Sequence, residues 1–350
     1  MNFHIQDYDT NHVLCLYDGV LEESNYFKKI KSNLNEHVNA TWYSKSHDGE
    51  PTYSYLEKIF HDISKQNVSL VISFGGGSTI DIAKGISLLL TNKCNPIKLK
   101  GFPKGLADPI NHITVPSIVG SGAEISYNAV FIDEKKEQKL GINSLNNFPC
   151  KTIYDPDFIL TAPQNAVVSS AFDTLVHCVD SFGSIKNTPF SRILSIEGFK
   201  KTFDVLYANK LRDIDGVKDL CIGSYCGISA LMNSSDGPTN GFAYYFGVKE
   251  KVPHGIAGAM FLLEVMKYNY ENGYKDYKAL DSNDSSTGLF EKMEQIYSLY
   301  EIPRLVNFNY SKEKVEEMAE ISGQSLKGSF SGNPVPFNSN SAYAVLNKLL

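Results

Sequence analysis

Val71-Ile-Ser-Phe-Gly-Gly-Gly-Ser-Thr-Ile-Asp-Ile-Ala-Lys84 decides the fold. An apolar run, Val68–Phe74, closes on Gly75-Gly76-Gly77-Ser78, and Ile80–Leu90 then carries helical apolar spacing. A strand that breaks on glycines into a helix is one half of a parallel crossover unit. The glycines let a ligand approach the backbone without a Cβ in the way. The helix start offers unpaired N–H groups and the positive end of a dipole, a combination that suits a pyrophosphate. The run is neither G-x-G-x-x-G nor a Walker loop, so a plain turn with Ser78 capping the helix is the competing explanation.

Outward from this stretch, the same alternation repeats. Residues 12–17 read as a buried strand ending at Asp18-Gly19, and 21–35 as a helix with Leu21, Tyr26, Phe27, Ile30 and Leu34 at helical spacing. A second strand is expected over 38–43, a turn at Asp48-Gly49-Glu50-Pro51, a helix over 52–65 and a short strand at Ile113-Thr114-Val115. Strands alternating with helices predict an α/β, Rossmann-like domain with a parallel sheet covered on both faces. Beyond Pro163 the periodicity turns helical, over 164–183, 190–207, 216–232, 255–269, 285–300 and 311–326, with a polar loop at 281–286. The expected division is an α/β domain, with the glycine turn as its candidate dinucleotide site, over 1–161 and an all-α domain over 162–350.

Composition narrows the class. The chain has 350 residues, and 33 Lys and Arg against 39 Asp and Glu give a net charge of −6, which argues against a nucleic-acid partner. No apolar run approaches the roughly 20 residues of a membrane span. Residues 1–10 lack the layout of a signal peptide. Six scattered cysteines show no disulfide framework and point to free thiols in a reducing cytoplasm. Only eight histidines are available for any metal chemistry.

Asp173 and His177 stand four apart on an expected helix, so both can face one ion. His254 follows Pro253 at a helix entry. Two imidazoles and a carboxylate suit Fe²⁺ with open positions, or Zn²⁺ with a water.

These pieces together resemble the iron-containing (group III) alcohol dehydrogenases, which share the dehydroquinate synthase-like fold. The resemblance rests on Gly-Gly-Gly-Ser-x-x-Asp-x-Ala-Lys over 75–84, Val115-Pro-Ser-Ile-Val-Gly-Ser-Gly-Ala-Glu124, Asp155-Pro156, Phe172-Asp-Thr-Leu-Val-His-Cys-Val-Asp-Ser-Phe182, Pro253-His254-Gly255 and Asn333-Pro334, in the family's order. It implies NAD(H) held around Asp18, Gly75, Gly76, Gly77, Ser78, Asp81, Ser117, Ser121 and Lys139. Asp18 falls where the family places a carboxylate against the adenine ribose, which favours NAD over NADP. The resemblance places Asp81 and Tyr244 among the catalytic groups and a divalent ion on Asp173, His177 and His254. It implies a homodimer.

The chain departs from its relatives at two positions. Asn240 stands fourteen residues before His254, where the family has a third metal histidine, and Tyr244 stands ten before it, where the family has an active-site histidine. An amide oxygen is a weak neutral ligand, and a tyrosine hydroxyl can relay a proton or simply wall the pocket. Ile118 stands where a cofactor-binding hydroxyl is expected beside Ser117.

The implied reaction is metal-assisted hydride transfer between NADH and a small aldehyde or ketone, in a specialised biosynthetic setting. Lys249 and Lys251 suggest an anionic aldehyde. Two other readings stay open at this point. One is a cyclase of the dehydroquinate synthase kind that uses NAD catalytically, with Arg192, Lys200, Lys201, Lys249 and Lys251 as its cations. The other is a nucleotide-binding member without metal catalysis, suggested by Asn240 and Tyr244.

Overall fold

The computed structural model describes residues 5, 7–46, 49–136, 138–281 and 285–350. His4, His47, Asp48 and residues 282–284 of the polar stretch 281–286 lie outside the described residues. The chain divides into two compact units, Met1–Pro163 and Gln164–Leu350.

The first unit is built on five parallel strands: β1 (Val13–Asp18), β2 (Ala40–Lys45), β3 (Leu70–Gly75), β4 (His112–Pro116) and β9 (Lys151–Thr152), in the order β2-β1-β3-β4-β9. Between β4 and β9 the chain forms two short antiparallel ladders. β5 (Asn128–Ala129) pairs with β8 (Ile142–Asn143), and β6 (Ile132–Asp133) pairs with β7 (Gln138–Lys139). A parallel sheet buried on both faces needs apolar residues at odd and even positions alike. Val13, Cys15, Tyr17, Leu70, Ile72 and Phe74 face one core with Phe27, Ile30 and Leu34 of α1 (Asn25–Asn35). Leu14, Leu16 and Val71 face the other core with Leu56, Ile59 and Ile63 of α2 (Tyr53–Ile63) and Ile82, Ile86 and Leu89 of α3 (Gly77–Asn92). Each side chain so buried contributes about 1.5–3 kcal/mol.

The sequence reading needs adjustment in places. The helix expected over 21–35 is a 3₁₀ turn (Gly19–Glu23) followed by α1, because Ser24 accepts a hydrogen bond from the Phe27 N–H at 3.3 Å and starts a new helix. The second strand runs two residues later than expected, since Val38 still donates its N–H to Leu34 O at the end of α1. Asp155 caps the short α4 (Pro156–Ile159) by accepting from Phe158 N–H and also takes the Tyr26 hydroxyl at 2.8 Å.

The second unit is helical throughout its described residues: α5 (Gln164–Gly183), α6 (Pro189–Tyr207), α7 (Ile214–Met232), α8 (Pro238–Glu250), α9 (His254–Glu271), α10 (Ser286–Leu299), α11 (Lys312–Ser325), α12 (Lys327–Ser331) and α13 (Ser339–Asn347). Small residues bring α5, α6 and α7 close. A Cβ on Gly198 would lie 2.9 Å from Cys178 Sγ. Asn333 and Asn269 exchange amide hydrogen bonds, at 2.7 and 3.0 Å, and so fasten the Asn333-Pro334 turn to α9. None of the six cysteines forms a disulfide. Among the described residues, no helix is long and apolar enough to cross a membrane.

Candidate functional site

In the first unit, the glycine turn joins β3 to α3 at the carboxyl end of the sheet. The N-cap of α3 is Gly76 and no side chain caps it. Ser78 lies inside the first turn, so the capping explanation for this serine does not hold. The three glycines meet close neighbours. A Cβ on Gly75 would fall 2.7 Å from Thr79 Oγ1, on Gly76 2.9 Å from Ile118 Cγ2, and on Gly77 2.6 Å from Ser121 Oγ. Ser117 donates its N–H to Gly75 O at 3.0 Å. The second glycine loop therefore lies directly on the first, and Ile118 and Ser121 are its contact points. An open helix start beside two glycine loops is a cradle that fits a dinucleotide phosphate.

The polar groups nearby are partnered. Asp18 at the end of β1 lies opposite Lys45 in the parallel register, with Lys45 Nζ 3.9 Å from its carboxylate. Lys139, on β7, is ion-paired with Glu50 at 2.5 Å. Asp81 and Lys84 lie within the buried run of α3, 3.9 Å apart. Burial pushes the Asp81 carboxyl up to about 6 and the Lys84 ammonium down to about 8. Lys84 also donates to Asn128 O at 2.7 Å and to Ser126 Oγ at 3.3 Å. Asp81 is thus embedded beneath the glycine turn. This location suits a group that supports the cradle better than one that exchanges protons with a substrate.

In the second unit, three helices bring four side chains together. Asp173 and His177 share a face of α5, and His177 Nε2 lies 3.5 Å from Asp173 Oδ1. His254 opens α9, with its Nε2 3.8 Å from the same Asp173 oxygen. The reason this helix start can lie against α5 is Gly255, where a Cβ would fall 1.8 Å from Ser169 O. Asn240, in the first turn of α8, places Oδ1 3.0 Å from His254 Nε2. Tyr244, one turn further along α8, holds its ring 4.7 Å from the His254 imidazole. Asp173, His177 and Asn240 are buried, while the His254 side chain is 18% exposed.

Among the described residues, no group of three or more His, Cys, Asp and Glu side chains is already spaced to hold a metal ion. Three separations among Asp173, His177, His254 and Asn240 can be compared with those around an ion. Ligand bonds of about 2.1 Å set neighbouring donors of a tetrahedral site about 3.4 Å apart. The 3.0, 3.5 and 3.8 Å separations bracket that spacing. His177 Nδ1 is buried without a hydrogen-bond partner, so no carbonyl or carboxylate orients that ring from behind.

Sequence reasoning did not single out two residues at these sites. Lys45 needed the strand register to be seen opposite Asp18. Asp180, one turn after His177, accepts the N–H groups of Gly237 and Asn240, both at 3.0 Å. Its signal in the sequence is faint: α8 begins Gly237-Pro238 with no capping side chain of its own. Of the cations that a cyclase would need, Arg192 is paired with Asp276 at 2.7 Å and Lys201 with Asp219 at 2.8 Å.

A parallel α/β unit with paired glycine loops, followed by a helical unit with an Asp-His-His-Asn cluster, defines a nucleotide-dependent oxidoreductase architecture. Residues 1–156 match the family described as iron-containing alcohol dehydrogenase, and residues 167–350 match the C-terminal domain of the same family. The chain belongs to the iron-containing alcohol dehydrogenase family and is an oxidoreductase of the alcohol–aldehyde class. Membership implies NAD(H) and an iron-type metal. A 4-hydroxybutyrate dehydrogenase of Clostridium kluyveri is 28% identical over 326 residues, covering 88% of this chain and 86% of that protein. The structure of a 1,3-propanediol oxidoreductase superposes with a TM-score of 0.88 at 18% identity, covering 97% of this chain and 92% of the other. That of sulfoacetaldehyde reductase from Bifidobacterium kashiwanohense, in complex with NAD+, gives 0.87 at 17% identity, covering 97% and 91%.

Proposed function

We propose that this enzyme interconverts a small anionic aldehyde and its alcohol with NAD(H), assisted by a divalent ion held on Asp173, His177, His254 and the carbonyl oxygen of Asn240. The observation that carries this reading is the approach of His177 and His254 to one oxygen of Asp173, with Asn240 Oδ1 set against His254 Nε2, from three helices. When bound, the ion supplies Lewis-acid polarisation of the carbonyl and the nicotinamide supplies the hydride.

The chain's own residues do the rest. Gly75, Gly76, Gly77 and Ser78 present the start of α3 to the pyrophosphate, with Ser117 and Ser121 lining it from the second loop. Asp18 binds the adenine ribose hydroxyls, and Lys139 faces the cofactor. Asp81 supports the turn from below. Tyr244, held against His254, passes a proton to the nascent alkoxide through its hydroxyl. Lys249 and Lys251 close α8 one to two turns beyond Tyr244 and supply positive charge for an anionic substrate. The relative named 4-hydroxybutyrate dehydrogenase supports a carboxylate-bearing substrate. We place the enzyme in a reducing cytoplasm, in keeping with six cysteines outside any disulfide, and take it to be a homodimer on the family resemblance.

The test is NADH oxidation with a panel of neutral and anionic aldehydes, alongside metal content. Turnover that is fastest with an ω-carboxylate aldehyde and lost after chelation supports the reading. Undiminished turnover in Asp173→Ala and His254→Ala refutes the role given to the ion.

A further inference from the structure

We propose that Asp180 is the positioning residue that sets α8 in register with α5 and thereby places Asn240 and His254 against Asp173 and His177. The proposal rests on the metal-site reading above. Asp173, His177 and Asp180 follow at i, i+4 and i+7 on α5, so one helix face carries all three. Asp180 is turned onto the backbone of α8. Its Oδ2 accepts the N–H groups of Gly237 and Asn240, the N-cap and third residue of α8.

A helix start leaves its first N–H groups unsatisfied, and an Ncap side chain normally takes one of them. Gly237 has none to offer. The cap comes instead from a residue 57 positions away, on the helix that carries two of the four candidate ligands. The fit is close: a Cβ on Gly237 would lie 2.7 Å from Asp180 Oδ1 and 2.8 Å from its Cγ. Asn240 is therefore held at both ends. Its N–H goes to Asp180, and its Oδ1 lies against His254 Nε2. Tyr244 follows one turn later on the same face and lies on the His254 ring. Rotation of α8 about its axis would move all of these contacts, and Asp180 is the group on α5 that opposes it.

The test measures Co²⁺ and Zn²⁺ binding to the full chain by chelator competition, with the visible spectrum of the Co²⁺ form as a report on ligand geometry. Asp180→Ala is expected to weaken both ions about 10–100-fold and to alter the Co²⁺ bands, with NADH affinity unchanged. Asp180→Asn keeps an oxygen that accepts both N–H groups and should stay within about threefold of wild type. Gly237→Ala, which displaces the carboxylate without removing it, should lose affinity like Asp180→Ala, and it serves if that variant does not fold. Wild-type affinity and spectrum in Gly237→Ala, or in folded Asp180→Ala, overturn the proposal while leaving the metal site standing. A wild-type chain that takes up neither ion overturns the site reading and this proposal with it.

Discussion

His254 Nε2 lies 3.0 Å from Asn240 Oδ1. The imidazole that opens α9 thus meets an amide at the position where the family resemblance leads one to expect another imidazole. The amide oxygen is neutral and weakly donating, so on the proposed reading an ion would rest mainly on Asp173, His177 and His254. Restoring the imidazole should strengthen the site: Asn240→His is expected to tighten Zn²⁺ about 10–100-fold in a chelator competition. Unchanged affinity would mean that position 240 does not reach the ion.

Asp18 and Lys45 face each other across β1 and β2. On the proposed reading the carboxylate would hydrogen-bond ribose hydroxyls and repel a 2′-phosphate, and the buried ammonium beside it would temper that repulsion. Asp18→Gly leaves Lys45 alone at the strand ends. The ratio of NADPH to NADH affinity, read by nucleotide fluorescence titration, should rise about 10–100-fold, or roughly 1.4–2.8 kcal/mol. No change in the ratio would place the ribose elsewhere.

These two sites differ in how far the sequence disclosed them. Helix 164–183 was readable end to end because Pro163 starts it and its apolar residues keep helical spacing. The i, i+4 spacing puts Asp173 and His177 on one helix face, and the family resemblance is what makes them candidate ligands. Asn240 and Tyr244 came into view only by counting back from His254 along a family resemblance. The helix that carries them was not anticipated: Gly241 and Gly247 interrupt it, and Phe242, Tyr244, Tyr245 and Phe246 leave no polar face from which to read a period. The ladders between β4 and β9 are two residues long, too short for any alternation to register. Lys45 and Asp180 act through partners 27 and 57 positions away, and such distances carry no local signature.

The reciprocal amide pair of Asn269 and Asn333 is buried, and Asn333 also donates to Val335 O at 2.9 Å. Asn333→Ala removes all three bonds and leaves the Asn269 amide with only Tyr277 as a partner. Urea denaturation should show a loss of about 2–4 kcal/mol. A loss under about 0.5 kcal/mol would mean that this turn is not fastened as described.

His112 is buried in β4 with Nε2 2.9 Å from Ser73 Oγ, and burial pushes its imidazole down to about 3 from a usual value near 6.5. The unfolded chain therefore binds a proton below about pH 6.5 that the folded chain refuses until about pH 3. The stability this contributes is present above pH 6.5 and is lost as pH falls through that window. His112→Gln should lose less stability than wild type between pH 6.5 and 4, measured as urea midpoints across pH. Parallel profiles would contradict the assignment of this proton.

The central claim is that one catalytic ion rests on Asp173, His177 and His254. Its most direct test is the metal content of the purified chain after equilibration with Fe²⁺ or Zn²⁺, read beside the same measurement on Asp173→Ala and His254→Ala. The account predicts about one ion per wild-type chain and a loss of at least tenfold in affinity in either variant, with NADH-dependent aldehyde reduction falling in step. Equal metal content in all three proteins, or full aldehyde reduction by a wild-type chain without metal, would contradict it.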